Sequence, residues 1–554
     1  MMRESHYLPL LMIWLSASAC GHSKPDGANV AGGSSTGGAP GAAGTNSAGS
    51  GVGPGSGGSN AGTTAGAGSL AGGSSSGGAT GGDATGGADA SGAGSGGLGS
   101  GGSQSACPAL APATIAAKDI IQFNDNGGWC WYQDERALVD TKAGKFIIGS
   151  VASSETDTAR NSDQEVVIYD IASGDKKKYT LQADLNPDDH NAPAFVVRPD
   201  GKYVATWATH RDNCNTYYSV FDGSAWSKSA IYDWKNDGCP WEPGSDPPHQ
   251  ITYANPWYLT SENRILSAVR SVSTSPAFLQ TADGSSWKFY GRISSTPTTG
   301  YVAGYFKYWG NGTDRIDFVG TEAHPRDNNN SLWHGYYFKD KLYNSKGDEV
   351  DGTANDKDAK NIDQYSLVFG QGSTPSGVSG IKLYRMWNHD LVRYADGTIA
   401  VMGQGRTTNT AVTVDDDPDK RLIYSRWDPT AKAWKTTYLV KAGPKLYKDE
   451  QDYTGLGALH PDNPNVIFVS TTFDPRTDMA GPSGKRELFM GVTCDNGATF
   501  KWTPLTENST EDNIRPVVPK WDSSHTLLLW LRGKYETAQK YTLKVVGTTS
   551  LQIQ

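Results

Sequence analysis

Of what several common function classes require, the chain of 554 residues holds little. Cysteine occurs six times and never as a CxxC pair, which excludes a zinc ribbon. Basic residues are outnumbered, with 49 Lys and Arg against 58 Asp and Glu and a net charge of -9, so no cationic footprint for nucleic acid exists. Beyond the leader no apolar run approaches the roughly 18 residues needed to cross a bilayer. Helical periodicity is scarce as well. What the chain does have is Gly, Asp, Trp and Tyr, with 67, 17 and 26 copies of Gly, Trp and Tyr, the material of short strands and tight turns.

The first 20 residues read as an export signal: Arg3, an apolar stretch from Tyr7 to Leu15, then small residues running into Cys20. Ala17-Ser18-Ala19-Cys20 is similar to a bacterial lipobox, which predicts a lipid anchor in the membrane. Ala17 stands where leucine is common, so cleavage without lipid is the alternative. Residues 21–105 are almost wholly Gly, Ser, Ala and Thr and lack the apolar groups that offset folding entropy, which predicts a disordered tether. A coil of that length spans roughly 50 Å. The expected location is therefore extracytoplasmic, at the bacterial cell surface or secreted. There Cys107 with Cys130 and Cys214 with Cys239 are expected to pair, leaving Cys494 free.

Residues 106–554 suit one large all-β repeat fold. A turn recurs as FDGSAW (Phe221 to Trp226), ADGSSW (Ala282 to Trp287), WDPTAKAW (Trp427 to Trp434) and CDNGATF (Cys494 to Phe500). Each sets an Asp and a small residue a few places before an aromatic, as in an Asp-box, where the carboxylate caps a hairpin turn. Their spacing predicts about seven four-stranded units, a seven-bladed β-propeller. Such turns are structural and carry no catalysis.

The segment DDHNAPAFVVRPDGKYVATWATH, Asp188 to His210, reads as one hairpin turning at Asp200-Gly201. It sets His190 and His210 at neighbouring strand ends, beside Asn191, in a chain with ten histidines. Arg270 stands within the otherwise apolar RILSAVRS and needs an anionic partner, a substrate carboxylate or a structural Asp.

The stretches NGGWCWYQDERALVD (Asn126 to Asp140), DDHNAPAFVVRPDGKY, ITYANPWYL (Ile251 to Leu259), RILSAVRS, GTEAHPRDNNNSLWHGYY (Gly320 to Tyr337), IRPVVPKW and LLLWLRGKY together resemble BNR repeat-containing proteins related to ulvan lyases. Those are seven-bladed propellers acting on rhamnose-uronic acid polysaccharides, and the group also includes enzymes that remove terminal rhamnose from glucuronic acid. The resemblance implies a polysaccharide lyase with His190, His210, Tyr253 and Arg270 as catalytic residues. His190 or His210 would be the base and Tyr253 the acid, or the reverse, with Arg270 neutralising the uronate. Asn191 is expected to assist that neutralisation.

Arg326, Trp333 and His334, with Trp387, are expected to contact sugar. His324, His334 and His389 lack tight ligand spacing; no cofactor is required, and a structural metal ion stays open. The expected partner is an anionic polysaccharide, bound by a monomer. The rivals are a propeller glycoside hydrolase, for which Asp188, Asp189, Glu242 and Glu322 offer carboxylates without an evident pair, and a non-catalytic surface lectin.

Overall fold

A computed structural model describes residues 114–210, 212–239, 251–271, 275–295, 304–413, 415–551 and 553. The predicted leader and tether, Cys107 and Glu242 lie outside them. The described chain forms a seven-bladed β-propeller with blades at 137–182, 194–233, 252–292, 306–369, 384–441, 457–504 and 512–548. The seventh is completed by the first strand, Ile121–Asn124, which pairs antiparallel with Lys540–Thr548 through Ile121↔Gly547. This closure leaves the ring without an unpaired seam. Blade four carries an extra hairpin, Lys341–Asn344 with Glu349–Asp351, before Ser366–Phe369 completes it.

Strand patterning follows distance from the axis. The innermost strand of blade three, Thr252–Leu259, is buried at all eight positions, whereas the outermost strand of blade one, Lys176–Gln182, is largely exposed. The core is a ring of apolar clusters wedged between neighbouring blades, such as Leu138, Ile147, Phe195 and Trp207 between blades one and two. Close approach decides some residues: a Cβ on Gly310 would stand 2.6 Å from the Trp257 indole of the adjacent blade.

All four predicted Asp turns join the third strand of a blade to its fourth. Asp222 Oδ1 accepts from the amides of Ser224 and Ala225 at 2.8 and 2.9 Å. Asp283, Asp428 and Asp495 cap their turns in the same way. Asp170 makes a fifth such cap, onto Ala172 and Ser173, without the following aromatic that marks the others. Turns between first and second strands share this face, so the second-to-third loops and the connections between blades gather on the opposite one.

The cysteine expectation is half corrected. Cys214 and Cys239 form a disulfide, as predicted. Cys130 is instead a buried free thiol, and Cys494 is disulfide-bonded, to a partner outside the described residues. Cys130 sits in the aromatic cluster where the chain enters blade one, packed on all sides.

Candidate active site

His190 lies in a single 3-10 turn, Asp189–Asn191, on the connection from blade one to blade two, and His210 follows the second strand of blade two. The hairpin register Ala194↔Thr206 brings the two rings face to face, with centroids 4.2 Å apart and planes 17° from parallel. Asp188 caps the turn, accepting from the His190 amide at 3.0 Å. Its carboxylate also spans the pair: Oδ1 is 2.5 Å from His190 Nδ1 and Oδ2 is 2.9 Å from His210 Nδ1. Asn191 fastens the two ends, its Oδ1 accepting from the His210 amide at 2.7 Å and its Nδ2 donating to Asn186 O at 3.0 Å. Its amide thus helps to hold the hairpin.

Burial raises the proton affinity of Asp188, yet the charges of the two imidazoles when protonated, together with their hydrogen bonds, outweigh it and hold its carboxyl well below the usual range. Asp189 is likewise lowered against burial, chiefly by the Arg515 guanidinium. Arg515 pairs with Asp189 and with the Trp129 carbonyl, and Tyr535 Oη donates to Asp189 at 2.8 Å. Arg515 is therefore a paired structural arginine. Arg532 is structural too, donating to Asn513 Oδ1 at 2.9 Å.

Tyr253 comes from the innermost strand of blade three, where a bulge between Thr252 and Asn255 sets its φ to +62°. A bulky residue in the left-handed region is strained, and the Asn255 side chain braces it by donating to Tyr253 O at 3.0 Å. Arg385 and Arg515 occupy similar bulges of blades five and seven, with φ of +52° and +53°. The Tyr253 ring lies 5.7 Å from His190, and the Arg270 guanidinium stands 4.8 Å from the Tyr253 ring and 5.4 Å from that of Tyr305. Arg270 Nη2 donates to Thr252 Oγ1 at 3.4 Å. Four residues predicted from the sequence thus meet in one buried cluster.

A second group adjoins it. His324 and Arg326 occupy the loop between the second and third strands of blade four, and the Arg326 amide donates to His324 Nδ1 at 3.0 Å. Burial and the charges of Arg326, Arg270 and Arg406 keep His324 neutral, well below its ordinary 6.5. Arg326 Nη1 reaches Glu450 Oε2 at 3.4 Å.

Trp387 is fully buried between Trp131, Tyr305 and His324, so it is packing rather than a sugar platform. His334 is a further correction: it is wholly buried on the third strand of blade four, with Nε2 3.1 Å from Asp317 and Nδ1 2.9 Å from Ser345. Trp333, its neighbour, is half-buried against the apolar cluster of blades three and four.

Sequence reasoning missed Tyr305 and the loop from Glu450 to Thr454, which brings Glu450 and Tyr453 to the cluster. Tyr453 Oη lies 2.8 Å from His190 Nε2.

Among the described residues, Asp188, His190 and His210 form the one group of three donors that could hold a metal. Imidazole lone pairs lie in the ring plane, and two nearly parallel rings aim theirs side by side rather than at one point. The geometry therefore fits carboxylate-bridged imidazoles better than a shared ion. Among the described residues, His324, His334 and His389 form no such group. His389 is pushed down to about 3 by burial and by the nearby Lys307 charge.

Fold and cluster together define a seven-bladed propeller with a buried polar cluster built around paired histidines. The chain belongs to the BNR repeat-containing family, whose profile matches residues 154–439. No curated protein sequence matches it. Among solved structures it is similar to a PL25 ulvan lyase bound to -[GlcA(1-4)Rha3S]-, with a TM-score of 0.52 and 11% identity over 76% of this chain and 94% of that one. A GH93 α-L-arabinofuranosidase of Fusarium graminearum matches with a TM-score of 0.36 and 11% identity over 64% and 91% of the two chains. The NanB sialidase of Streptococcus pneumoniae gives 0.36 and 9% over 77% and 70%. At such identities the likeness is one of fold.

Proposed function

We propose that the protein is a polysaccharide lyase that cleaves rhamnose-uronic acid polysaccharides by β-elimination. The observation that carries this reading is the Asp188-bridged histidine pair meeting Tyr253 and Arg270 in one cluster.

Elimination removes the proton beside the uronate carboxylate. The freed electron pair forms a carbon–carbon double bond, the glycosidic carbon–oxygen bond breaks, and the leaving oxygen takes a proton. A guanidinium on the carboxylate stabilises the charge that develops, which is the role of Arg270. Asp188 binds the Nδ1 side of both imidazoles and so presents Nε2 as the basic atom. One histidine takes the carbon-bound proton, and Tyr253 protonates the leaving oxygen.

A hydrolase needs two carboxyl groups across the scissile bond. Asp188 and Asp189 are instead engaged with imidazoles and Arg515, and Glu322 accepts from the Ser331 amide at 2.8 Å on blade four. The disulfide of Cys214 and Cys239 supports an oxidising, extracytoplasmic location, where the leader and tether would hold the enzyme at the cell surface.

The test is incubation with ulvan and other uronate polymers while following the ultraviolet band of an unsaturated uronate. A band that vanishes in His190→Ala and Tyr253→Phe supports elimination. Reducing ends without the band would overturn it in favour of hydrolysis, and binding without turnover in favour of a lectin.

A further inference from the structure

The proton placement around His190 follows from its neighbours. Nδ1 lies 2.5 Å from Asp188 Oδ1 and 2.9 Å from Asp189 Oδ1, both acceptors, so Nδ1 carries a hydrogen. In the neutral ring the lone pair then sits on Nε2, and a phenol 2.8 Å away can only donate to it.

Tyr453 is held in place from both sides. Its backbone carbonyl accepts from the Leu446 amide at 2.8 Å. On one side Asp452 takes a two-pronged ion pair from Arg406, at 2.6 and 2.5 Å, and on the other Thr454 Oγ1 donates to Gln404 at 2.6 Å. The ring stands edge-on to Trp131 at 4.9 Å and to Tyr447 at 5.3 Å.

We propose that Tyr453 is a positioning residue for the reaction: by donating to Nε2 it holds His190 neutral and in the tautomer that Asp188 binds. The role of His190 as proton acceptor rests on the elimination reading; the hydrogen bond and its effect on the imidazole do not. A donor on the lone pair stabilises the neutral ring, so it lowers the proton affinity of His190, and its removal raises it. Among the described residues, the other titratable or charged groups facing this imidazole include Asp188 and Asp189 on its own turn, His210 stacked on it, Tyr253 from blade three, and Tyr535, Tyr541 and Arg515 from blade seven. All remain in a Tyr453→Phe variant, which deletes the phenol oxygen alone.

The experiment is a nitrogen NMR titration of the histidine side chains in the whole protein and in Tyr453→Phe, beside the pH profile of kcat/KM on a uronate polymer. The expected result is an unprotonated Nε2 on His190 near neutral pH in the wild type. In the variant the His190 midpoint rises by about half a pH unit, the worth of one neutral hydrogen bond, and the acid limb of kcat/KM moves up with it.

An unchanged or lowered midpoint, or a protonated Nε2 in the wild type at neutral pH, overturns the proposal. If Tyr453→Phe does not fold, 3-fluorotyrosine at position 453 keeps the ring and strengthens the donor, so the midpoint must fall instead. The imidazole spectra decide the matter even if no polymer is turned over, and failure of the elimination reading shows separately, as a missing ultraviolet band in the wild type.

Discussion

Asp188 places one carboxylate oxygen on each of the two stacked imidazoles, Oδ1 on His190 and Oδ2 on His210. Asparagine in its place keeps one acceptor and turns an NH2 toward the second ring, whose Nδ1–H it cannot accept. Asp188→Asn is therefore expected to lower kcat by about a hundredfold or more, the usual worth of a general base, with a far smaller effect on KM. Steady-state rates beside a melting curve check this, and a variant that melts like the wild type yet keeps full kcat would remove Asp188 from the reaction.

Arg270 offers a planar fork beside the Tyr253 and Tyr305 rings. Lysine keeps the charge but loses both the fork and the stacking. Arg270→Lys should cost on the order of 100-fold in kcat/KM on a uronate polymer. Binding of the same variant to a polymer whose carboxyl groups are reduced to alcohols, which cannot undergo elimination, should differ little from that of the wild type, because neither then has a carboxylate to neutralise.

Acid stability is set by buried histidines that must stay neutral. Burial pushes His389 down to about 3 and His460 to about 4, from an ordinary 6.5. Since the unfolded chain takes up these protons first, the contribution is complete above pH 6.5 and is lost as the pH falls towards 4 and below. Melting temperature should therefore decline over that interval. His460→Asn retains an acceptor for the amides of Asp462 and Asn463 that His460 Nδ1 now serves, and should flatten the decline. A slope identical to that of the wild type would assign the loss elsewhere.

The bridge between Cys214 and Cys239 closes a separation of 25 residues beside the second blade. Removing it as the Cys214→Ser/Cys239→Ser pair should cost about 3 kcal/mol by the chain-entropy estimate. Equilibrium denaturation measures this directly, and a loss below about 1 kcal/mol would mean that the unfolded chain is already constrained there.

Much of the cluster was legible because its key pair is local. His190 and His210 are joined by one hairpin, and alternation plus Asp200-Gly201 suffices to set them side by side. The Asp turns exposed the blades for the same reason, since each is written in six or seven consecutive residues. Tyr453 carried no such signal: it reaches His190 only because a closed ring brings the connection between blades five and six back to the first. His334 and Trp387 misled because an aromatic or imidazole on a strand looks alike whether it faces solvent or the next blade. Cys494 was misjudged because a disulfide depends on which cysteines the fold brings together, which no local pattern records.

The strand Ile121–Asn124, bonded along Lys540–Thr548, has a mechanical meaning. A pull on the chain that precedes it, directed along the strand, loads the hydrogen bonds between the two strands in shear, all together, instead of peeling them apart one by one. Such a load would thus be resisted by the whole seam at once, and the ring would hold its shape until that seam failed as a unit.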